Sequence, residues 1–366
     1  MKITTTLSKY LARTYFRNML VFLLSLLAII YLFDTVELIR RASKHDDVPM
    51  GLVLTMGLYK LPDTGQIMLP FAILFSAIFT FWQLTRRSEL TIVRASGFSV
   101  WQFLAPVLGV AMAIGLFQMF IINPVGSVFV SKFEQLESTY LKRQENQVAV
   151  FKEGLWLRQS IGQNGNYIIL NAGKINQQDW VLRNVTVFFF RNDDTFLQRL
   201  DSRETMLEKG RWLFRDVTLY KPGEGAARHT TYALPTPLTV QDIQESFAGP
   251  ETMSFWRLPG YIQTLEETGF DATSLKVHYQ NLLSQPLMFM AMVLLAATVS
   301  MRSARSRGAF TLIAAGVLIG FVVFFMSSFL QALGASGQIP VMLAAWTPAL
   351  VCLLMGVGVM MHMEDG

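Results

Sequence analysis

The chain has 366 residues, of which 52% are hydrophobic and only 16% are charged. Soluble proteins carry about a quarter of charged residues, so this composition excludes two or three ordinary soluble domains. The mean hydropathy of +0.37 and the net charge of +5 favour a lipid bilayer over a nucleic acid as the main partner. The single cysteine, Cys352, excludes internal disulfides and cysteine-based metal clusters.

Long uncharged runs predict six membrane helices. Crossing about 30 Å of hydrocarbon takes roughly 20 consecutive, mostly apolar helical residues. Runs that reach or approach this length lie at residues 18–33, 64–85, 95–131, 279–301 and 308–363. The last run is too long for one helix, and the glycines and proline at 334–340 predict a turn that divides it in two.

Basic residues precede the first run, and a cleavable signal peptide is the alternative interpretation of this region. The run is long, no small-residue cleavage site follows it and more spans come after, so we expect the first helix to stay in the protein. Residues 3–16 combine apolar side chains with Lys9 and Arg13. This pattern is typical of an amphipathic helix that lies at the inner headgroups.

The short basic segments between the spans predict the orientation. Three basic groups are separated from one another by even numbers of membrane spans, so they lie on the same side of the membrane, which we take as cytoplasmic. They are Lys2, Lys9, Arg13 and Arg17, then Arg86, Arg87 and Arg94, then Arg302, Arg305 and Arg307. Both termini are then cytoplasmic, and the long polar segment between spans three and four is exported.

The exported segment has the pattern of a β domain. Short stretches rich in β-branched and aromatic residues, at 167–170, 181–190, 195–206, 212–220 and 230–234, are separated by turn formers. We predict an all-β sandwich or jelly roll at 132–250, inserted between helical segments at 1–131 and 279–366. The period lengthens again before span four, which predicts a helical connector at 251–278.

A short cytoplasmic segment between spans two and three has helix signals of its own. Ser88 can cap a helix, Glu89 then lies at its positive end, and Arg94 lies near its negative end. Gly97 can end this helix in the left-handed conformation. The segment either sets the topology through its basic residues alone, or projects as a knob that a cytosolic partner can grip.

A second basic group breaks the positive-inside tendency, because Arg40, Arg41, Lys44 and Lys60 lie between spans one and two and so face outward. Local pairing with Glu37 and snorkelling to headgroups is one interpretation. The other is that Arg40 and Arg41, with Lys44 nearby, bind the phosphates of a lipid in the outer leaflet, which guanidinium groups suit. Asp34 lies near the same interface and is either a functional carboxylate or one that is solvated or paired with arginine.

Signatures of catalysis are missing from the sequence. It has no phosphate-binding loop of the form G-x-x-x-x-G-K-[ST] and no G-x-S-x-G nucleophile elbow. The four histidines lie far apart without metal-ligand spacing; they are His45, His229, His278 and His362. We therefore expect no catalytic residue, no metal site and no bound cofactor.

The order of these parts, together with several local motifs, resembles a known family. The motifs are Leu61-Pro62-Asp63 with Gln66-Ile67 and Pro70, Arg87-Ser88-Glu89-Leu90, Ala95-Ser96-Gly97-Phe98, Gly154-Leu155-Trp156, Tyr167-Ile168, Gln285-Pro286-Leu287 and Ile339-Pro340. With them, nearly the whole chain resembles the LptF/LptG permeases of the lipopolysaccharide export ABC transporter, and LptG more closely than LptF.

This resemblance implies an α-helical membrane protein of the bacterial inner membrane, with six transmembrane helices and an inserted periplasmic jelly roll. It also implies a heterodimer with an LptF-like permease, driven by two copies of an LptB-like ATPase that bind ATP and magnesium. The helix of an LptC-like protein would insert beside the pair, and an LptA-like bridge would receive the lipid. The chain itself would be a permease subunit and not an enzyme.

The resemblance also implies roles for residues. Residues 88–96 are similar to the coupling helix in the ATPase groove, with Glu89 as its carboxylate; the coupling residues would be Arg87, Ser88, Glu89, Leu90, Val93, Arg94, Ala95, Ser96 and Gly97. The phosphate-binding residues would be Arg40, Arg41, Lys44 and Lys132. Tyr31 aligns near a family lysine, so Lys132 is a candidate substitute for that contact. Tyr31 and Asp34 would line a cavity at the first helix.

The function expected from these features is extraction of lipopolysaccharide from the outer leaflet and its transfer through the β domain to a periplasmic bridge. Two alternative functions belong to other classes of membrane protein. One is a membrane-anchored scaffold or sensor whose β domain binds a periplasmic partner. The other is a mechanotransmitting ABC permease through which no lipid passes.

Overall fold

The computed structural model describes residues 2–43, 48–142, 147–151, 154–161, 166–176, 181–208, 210–223, 225–236, 249–268, 271–303 and 309–365. These residues belong to two compact units, each with its own apolar core. The helical unit comprises Met1–Glu137, Glu251–Trp256 and Thr273–Gly366. The β unit comprises Ser138–Pro250 and Arg257–Ala272.

The helices follow the order of the predicted spans. Helix α1 is Lys2–Ala42, α2 is Met50–Arg86 and the short α3 is Glu89–Ala95. Helix α4, Val100–Phe117, continues through a first π-helical turn, Gln118–Ile122, into α5, Asn123–Leu136, and a second π-helical turn, Glu137–Lys142. The remaining helices are α6, Leu258–Thr268, in the β unit, and then α7, Thr273–Ser303, α8, Ala309–Ala335, and α9, Val341–Asp365.

Six helical stretches of the described chain are long and apolar enough to cross a membrane; they are Thr5–Ala42, Met50–Arg86, Val100–Leu141, Thr273–Met301, Thr311–Ala335 and Val341–His362. The six predicted spans are confirmed, including the division of the last run, where Gly337 has a φ of +73°. The amphipathic segment 3–16 differs from expectation, because it continues without a break into span one. Residues 2–42 contain no glycine or proline, and Leu11 and Tyr15 join the core that the spans share.

The helical unit packs through large buried side chains and a few close backbone approaches. Tyr15, Phe81 and Phe289 are fully buried in one apolar cluster that α1, α2, α4 and α7 build together. Gly115 of α4 faces Pro286 of α7, and a Cβ atom at Gly115 would stand 2.5 Å from Pro286 Cα. Small residues that let helix backbones approach are a common feature of packing within membranes.

The helical unit includes the short segment Glu251–Trp256, which lies between two parts of the β unit in the sequence. The backbone N–H of Phe255 donates to Asn123 Oδ1 at 2.8 Å, and Asn123 Nδ2 donates to Gln66 Oε1 at 3.2 Å. The ring of Phe255 stacks on Tyr279, with centroids 5.4 Å apart. Residues 251–256 are therefore held between α2, α5 and the beginning of α7.

The β unit contains seven described strands in one antiparallel sheet. They are β1 Gln147–Phe151, β2 Gly154–Ile161, β3 Asn166–Asn176, β4 Val181–Phe190, β5 Phe196–Glu208, β6 Arg211–Tyr220 and β7 Ala227–Pro235. Neighbours in the sheet are neighbours in the sequence, from β1 to β7. The inserted β domain is confirmed, and its described strands form a meander.

The sheet curls so that β2 meets β6 and the end of β7. Trp212 Nε1 on β6 donates to Gln159 Oε1 on β2 at 3.2 Å, and the Thr236 hydroxyl after β7 donates to the same oxygen at 2.8 Å. In a flat sheet, β2 and β6 would lie about 19 Å apart, because neighbouring strands are spaced by about 4.8 Å. The inner face of this roll is mostly apolar and is lined by Leu157, Leu170, Val187, Leu200 and Phe214, and it also holds the buried polar side chains of Gln159, Ser202 and Thr205.

Candidate functional site

Two arginines lie at the carboxyl end of α1. Arg40 Nη2 is 2.7 Å from Glu37 Oε1, and Arg41 Nε is 3.0 Å from the same oxygen. Arg41 Nη1 also reaches Glu137 Oε1 at 3.2 Å, which joins α1 to the second π-helical turn. The arginine side chains remain 66% and 50% exposed, so an anion can still approach them. The pairing with Glu37 is present, the lipid-phosphate role stays a prediction, and Lys44 lies outside the described residues.

One turn earlier, α1 and α2 are joined by an ion pair and by a tyrosine. Asp34 Oδ1 accepts a hydrogen bond from Lys60 Nζ at 2.9 Å, so this carboxylate is paired with lysine rather than with arginine. The Tyr31 hydroxyl donates to the carbonyl of Leu54 at 3.4 Å. The Tyr31 ring packs over Gly57, where a Cβ atom would stand 3.0 Å from Tyr31 Cε2. Both residues therefore fasten α1 to α2.

Lys132 of α5 lies over an aromatic face. Its ammonium group is 5.8 Å from the centroid of Tyr59, and that ring contacts Phe129 at 5.6 Å. A cation over a ring keeps its full charge, which leaves Lys132 available to an anionic ligand. The contacts of the described chain do not join Lys132 to either Arg40 or Arg41.

The predicted cytoplasmic helix is α3, and its ends are well defined. Gly97 has a φ of +83°, and Phe98 N–H donates to the carbonyl of Val93 at 3.4 Å, which is the long hydrogen bond of a Schellman motif. At the other end, the Ser88 carbonyl accepts from Ile92 N–H at 3.1 Å. Ser88 has a φ of +60°, in the left-handed region and not in the extended geometry usual for a serine cap.

Helix α3 has a buried side and an exposed side. Leu90 is 7% exposed and belongs to the core of the helical unit, whereas Ile92 is 64% exposed. Val93 is half-buried, while Ala95 and Ser96 are exposed, and Arg94 lies in the last turn. The apolar side of α3 therefore packs into the core of the helical unit, and its opposite side is exposed and available to a partner.

The carboxylate of Glu89 is held from two directions. The Tyr10 hydroxyl donates to Glu89 Oε2 at 3.0 Å, and Arg87 Nη1 lies 3.9 Å from Glu89 Oε1. Tyr10 belongs to α1, so this hydrogen bond links the amino-terminal segment to the predicted coupling helix. The Glu89 side chain keeps 33% of its surface exposed and can reach a partner.

The sequence matches the family "Lipopolysaccharide export system permease LptF/LptG" along residues 9–362. The chain belongs to the LptF/LptG family. A relative from Haemophilus influenzae (strain ATCC 51907 / DSM 11121 / KW20 / Rd), lipopolysaccharide export system permease protein LptG, is 24% identical over 358 residues and aligns with 96% of each chain. LptG of Escherichia coli (strain K12) is 23% identical over 368 residues, which cover 97% of this chain and 98% of that relative. The resemblance seen in the motifs is confirmed.

Membership of the LptF/LptG family defines the general class of the protein. It is a multi-pass inner-membrane protein of lipopolysaccharide export, and a transporter subunit rather than an enzyme. In this chain, the two groups of predicted residues lie on either side of α2 in the sequence: Arg40 and Arg41 end α1 before α2 begins, and α3 follows the end of α2.

Two contacts of these groups were missed from the sequence. Tyr10 is 79 positions from Glu89, and Arg41 is 96 positions from Glu137. Tyr10 carried a weak signal, because it is a polar aromatic residue on the amphipathic segment next to Lys9. Glu137 carried none, since it lies beyond the third uncharged run among other polar residues.

Proposed function

We propose that this chain is the permease subunit that extracts lipopolysaccharide from the outer leaflet and passes it, through its β unit, to a periplasmic bridge. The match to the LptF/LptG family along residues 9–362 carries this proposal. The six membrane helices and the inserted β roll support it, because they supply both a body within the bilayer and an amphipathic fold outside it. The β unit, the end of α1 and the beginning of α7 face the periplasm in this proposal, and both termini face the cytoplasm.

The partners of the proposed complex follow from the family. An LptF-like permease pairs with this chain, two copies of an LptB-like ATPase bind ATP and magnesium, an LptC-like helix inserts beside the pair, and an LptA-like protein receives the lipid. This chain binds no nucleotide and no metal of its own.

In the proposed power stroke, the partner ATPase acts on α3. ATP-driven closure of the two ATPase copies moves the exposed side of α3, and buried Leu90 transmits this displacement to the core shared by α1, α2, α4 and α7. Tyr10 moves with Glu89, because their hydrogen bond connects α1 to α3 directly. Since close-packed interiors deform little, movement of α3 shifts whole helices rather than single side chains.

Lipid binding in this proposal uses both charge and apolar surface. A lipid phosphate competes with Glu37 for the guanidinium groups of Arg40 and Arg41, and exposed ion pairs exchange readily because water already screens them. The acyl chains meet exposed rings of α8, where Phe321, Phe325 and Phe329 stack in a ladder. Each methylene removed from water contributes about 0.8 kcal/mol, so release requires an external source of energy.

The test is reconstitution of the complete complex in proteoliposomes, with ATP-dependent transfer of lipopolysaccharide to the periplasmic bridge as the readout. We expect the wild-type chain to support transfer, and the double variant Arg40→Glu/Arg41→Glu to lose at least tenfold of both transfer and lipid photocrosslinking. The matched control is Arg183→Glu, an exposed arginine of the β unit that lies 3.9 Å from Glu204, and it should behave as the wild type.

Three outcomes would contradict the proposal. A membrane-anchored scaffold would give no ATP-dependent transfer with the wild-type chain. A mechanotransmitting permease would hydrolyse ATP in the complex but leave lipid in the donor membrane. If the double charge reversal leaves photocrosslinking unchanged while transfer continues, the phosphate site at Arg40 and Arg41 is wrong.

A further inference from the structure

The helical unit contains a cavity of about 350 Å³ among α2, α7, α8, α9 and the first π-helical turn. None of the predicted site residues lines it. Asp63, Gln66 and Gln285 belong to the family motifs and line the cavity, and no role has been assigned to them so far. Small-molecule sites span about 300–1,000 Å³, so this cavity can hold a small organic molecule.

The acidic residues of the lining have no basic residue opposite them. Asp63 and Glu251 line the cavity, and no lysine or arginine does so among the described residues. Lys60 of α2 lies three positions before Asp63, but its Nζ atom is held by Asp34 Oδ1 at 2.9 Å. Carboxylates that leave water without a counter-ion are costly. The lining therefore disfavours anionic ligands such as phosphates and favours a cation.

Unpaired hydrogen-bond acceptors are a second, independent feature of the cavity. In the described part of the chain, eight buried side-chain atoms lack a hydrogen-bond partner, and four of them belong to lining residues: Gln118 Oε1, His278 Nε2, Gln285 Oε1 and Ser327 Oγ. The two carboxamide oxygens can only accept, and the imidazole nitrogen and the hydroxyl oxygen can accept as well. Gln118 is only 2% exposed and lies at the start of the π-helical turn, a distortion frequent at functional sites. A ligand that fits this cavity supplies hydrogen-bond donors.

Apolar side chains line the part of the cavity that lies further along the helices. On α7, Met288 and Met292 come two to four turns after His278. On α8, Val323 comes one turn before Ser327, further from the end of that helix. A ligand with a donor head and a short apolar chain therefore matches the distribution of polar and apolar groups.

We propose that this cavity binds a small aliphatic amine in its ammonium form, with the alkyl chain toward Met288 and Met292. A primary ammonium group carries a positive charge and three N–H donors and has no acceptor, so it satisfies the carboxylates and the unpaired acceptors together. A metal ion fits less well, because the described residues hold no cluster of three or more histidine, cysteine, aspartate or glutamate side chains. The site is additional to the proposed export function, and its ligand has the opposite charge to a lipid phosphate.

The test is isothermal titration calorimetry of hexylammonium into the full chain in an uncharged maltoside detergent, with empty micelles as the blank. We expect saturable binding, and we expect Gln118→Leu, Gln285→Leu and Asp63→Asn each to weaken it about tenfold or more, since each removes a partner of a charged donor. Gln83→Leu and Asp216→Asn are the matched controls and should bind as the wild type. Gln83 also has an unpaired buried Oε1 atom but lies outside the cavity, and Asp216 is an exposed residue of the β unit.

Four related compounds identify the ligand class on the wild-type chain, so this part of the test does not depend on the folding of a variant. Hexanol keeps the tail without the charge and hexanoate reverses the charge; both should bind about tenfold more weakly or less. Hexyltrimethylammonium keeps the charge and the tail but has no N–H group, and it should bind about fivefold more weakly. Dihexanoyl phosphatidylethanolamine should compete about tenfold less well than hexylammonium, because its phosphate meets the carboxylates of the lining.

Three results would overturn the proposal. Heat equal to that of empty micelles, or one affinity for the wild type and the three cavity variants, would show that the cavity holds only water. Displacement of hexylammonium by sodium at the same concentration would show a site for an inorganic cation. Equal competition by the phospholipid would show that the ammonium group comes from a lipid headgroup and not from a free amine. The titration uses neither ATP nor lipopolysaccharide, so its outcome does not depend on the export function.

Discussion

Glu89 shows how one residue can belong to two elements. Its carboxylate projects from α3, yet its nearest described donor is the Tyr10 hydroxyl of α1, at 3.0 Å. A carboxylate that accepts a hydrogen bond loses rotamer freedom before it meets a partner, so less entropy is lost on binding. We therefore regard Tyr10 as a positioning residue for Glu89.

The variant Tyr10→Phe should weaken binding of the partner ATPase about tenfold or more, since a hydrogen bond to a charged group contributes about 1.5–3 kcal/mol. Glu89→Ala should abolish co-purification with the ATPase and leave membrane insertion intact. Affinity capture on the full chain measures both. The control is Tyr220→Phe, an exposed tyrosine of the β unit. Unchanged capture with Tyr10→Phe would show that this hydrogen bond does not position Glu89.

Residue contacts could be predicted only within an element. The Glu37–Arg41 pair follows from helical spacing, and the left-handed Gly97 follows from its place after a short periodic segment. The contacts of Arg41 with Glu137 and of Trp212 with Gln159 depend on how helices and strands pack, for which periodicity carries no information. The polar cavity was missed for the same reason, because its residues come from several elements.

Among the elements, α4 and α7 approach closely where Gly115 meets Pro286. Replacing Gly115 by alanine places a Cβ atom 2.5 Å from a backbone carbon that cannot rotate away. Overpacking of this kind costs about 1–3 kcal/mol, so Gly115→Ala should lower the thermal unfolding temperature of the purified protein. Gly109→Ala is the control, because it lies on the same helix with open space around its Cβ position. Equal unfolding temperatures for the two variants would contradict this packing.

The elements themselves were predictable because the bilayer demands long uncharged helices. Charge spacing found five uncharged runs, and the glycines and proline at 334–340 divided the last run at the turn near Gly337, which gave the six spans. The helical continuity of α1 was not found, because the basic residues of its first turns suggested a separate surface helix. The curl of the β sheet could not be predicted from the sequence either, since strand patterns show which face is apolar but not which strands meet across the roll.

At the scale of the whole molecule, the arrangement of charge predicts an orientation. The predicted cytoplasmic basic residues that the structure describes lie in the first half of α1, at the end of α2, in α3 and at the end of α7, which the predicted topology places on one side of the membrane. Arg40 and Arg41 lie at the opposite end of α1 and are balanced there by Glu37 and Glu137. The predicted cytoplasmic groups contain ten lysines and arginines, against four between spans one and two, so Arg40 and Arg41 do not reverse the predicted topology.

This orientation can be tested with single cysteines in a Cys352→Ser background. Asn192→Cys, in the exposed turn between β4 and β5, and Ser336→Cys, in the exposed turn between α8 and α9, should react with a membrane-impermeant maleimide in cells whose outer membrane alone is permeable. Ser96→Cys, exposed at the end of α3, should react only after the inner membrane is opened, because α2 crosses the bilayer between the two sides. Labelling of Ser96→Cys before Asn192→Cys would place α3 outside, where no ATPase could reach it, and would overturn both the orientation and the proposed coupling.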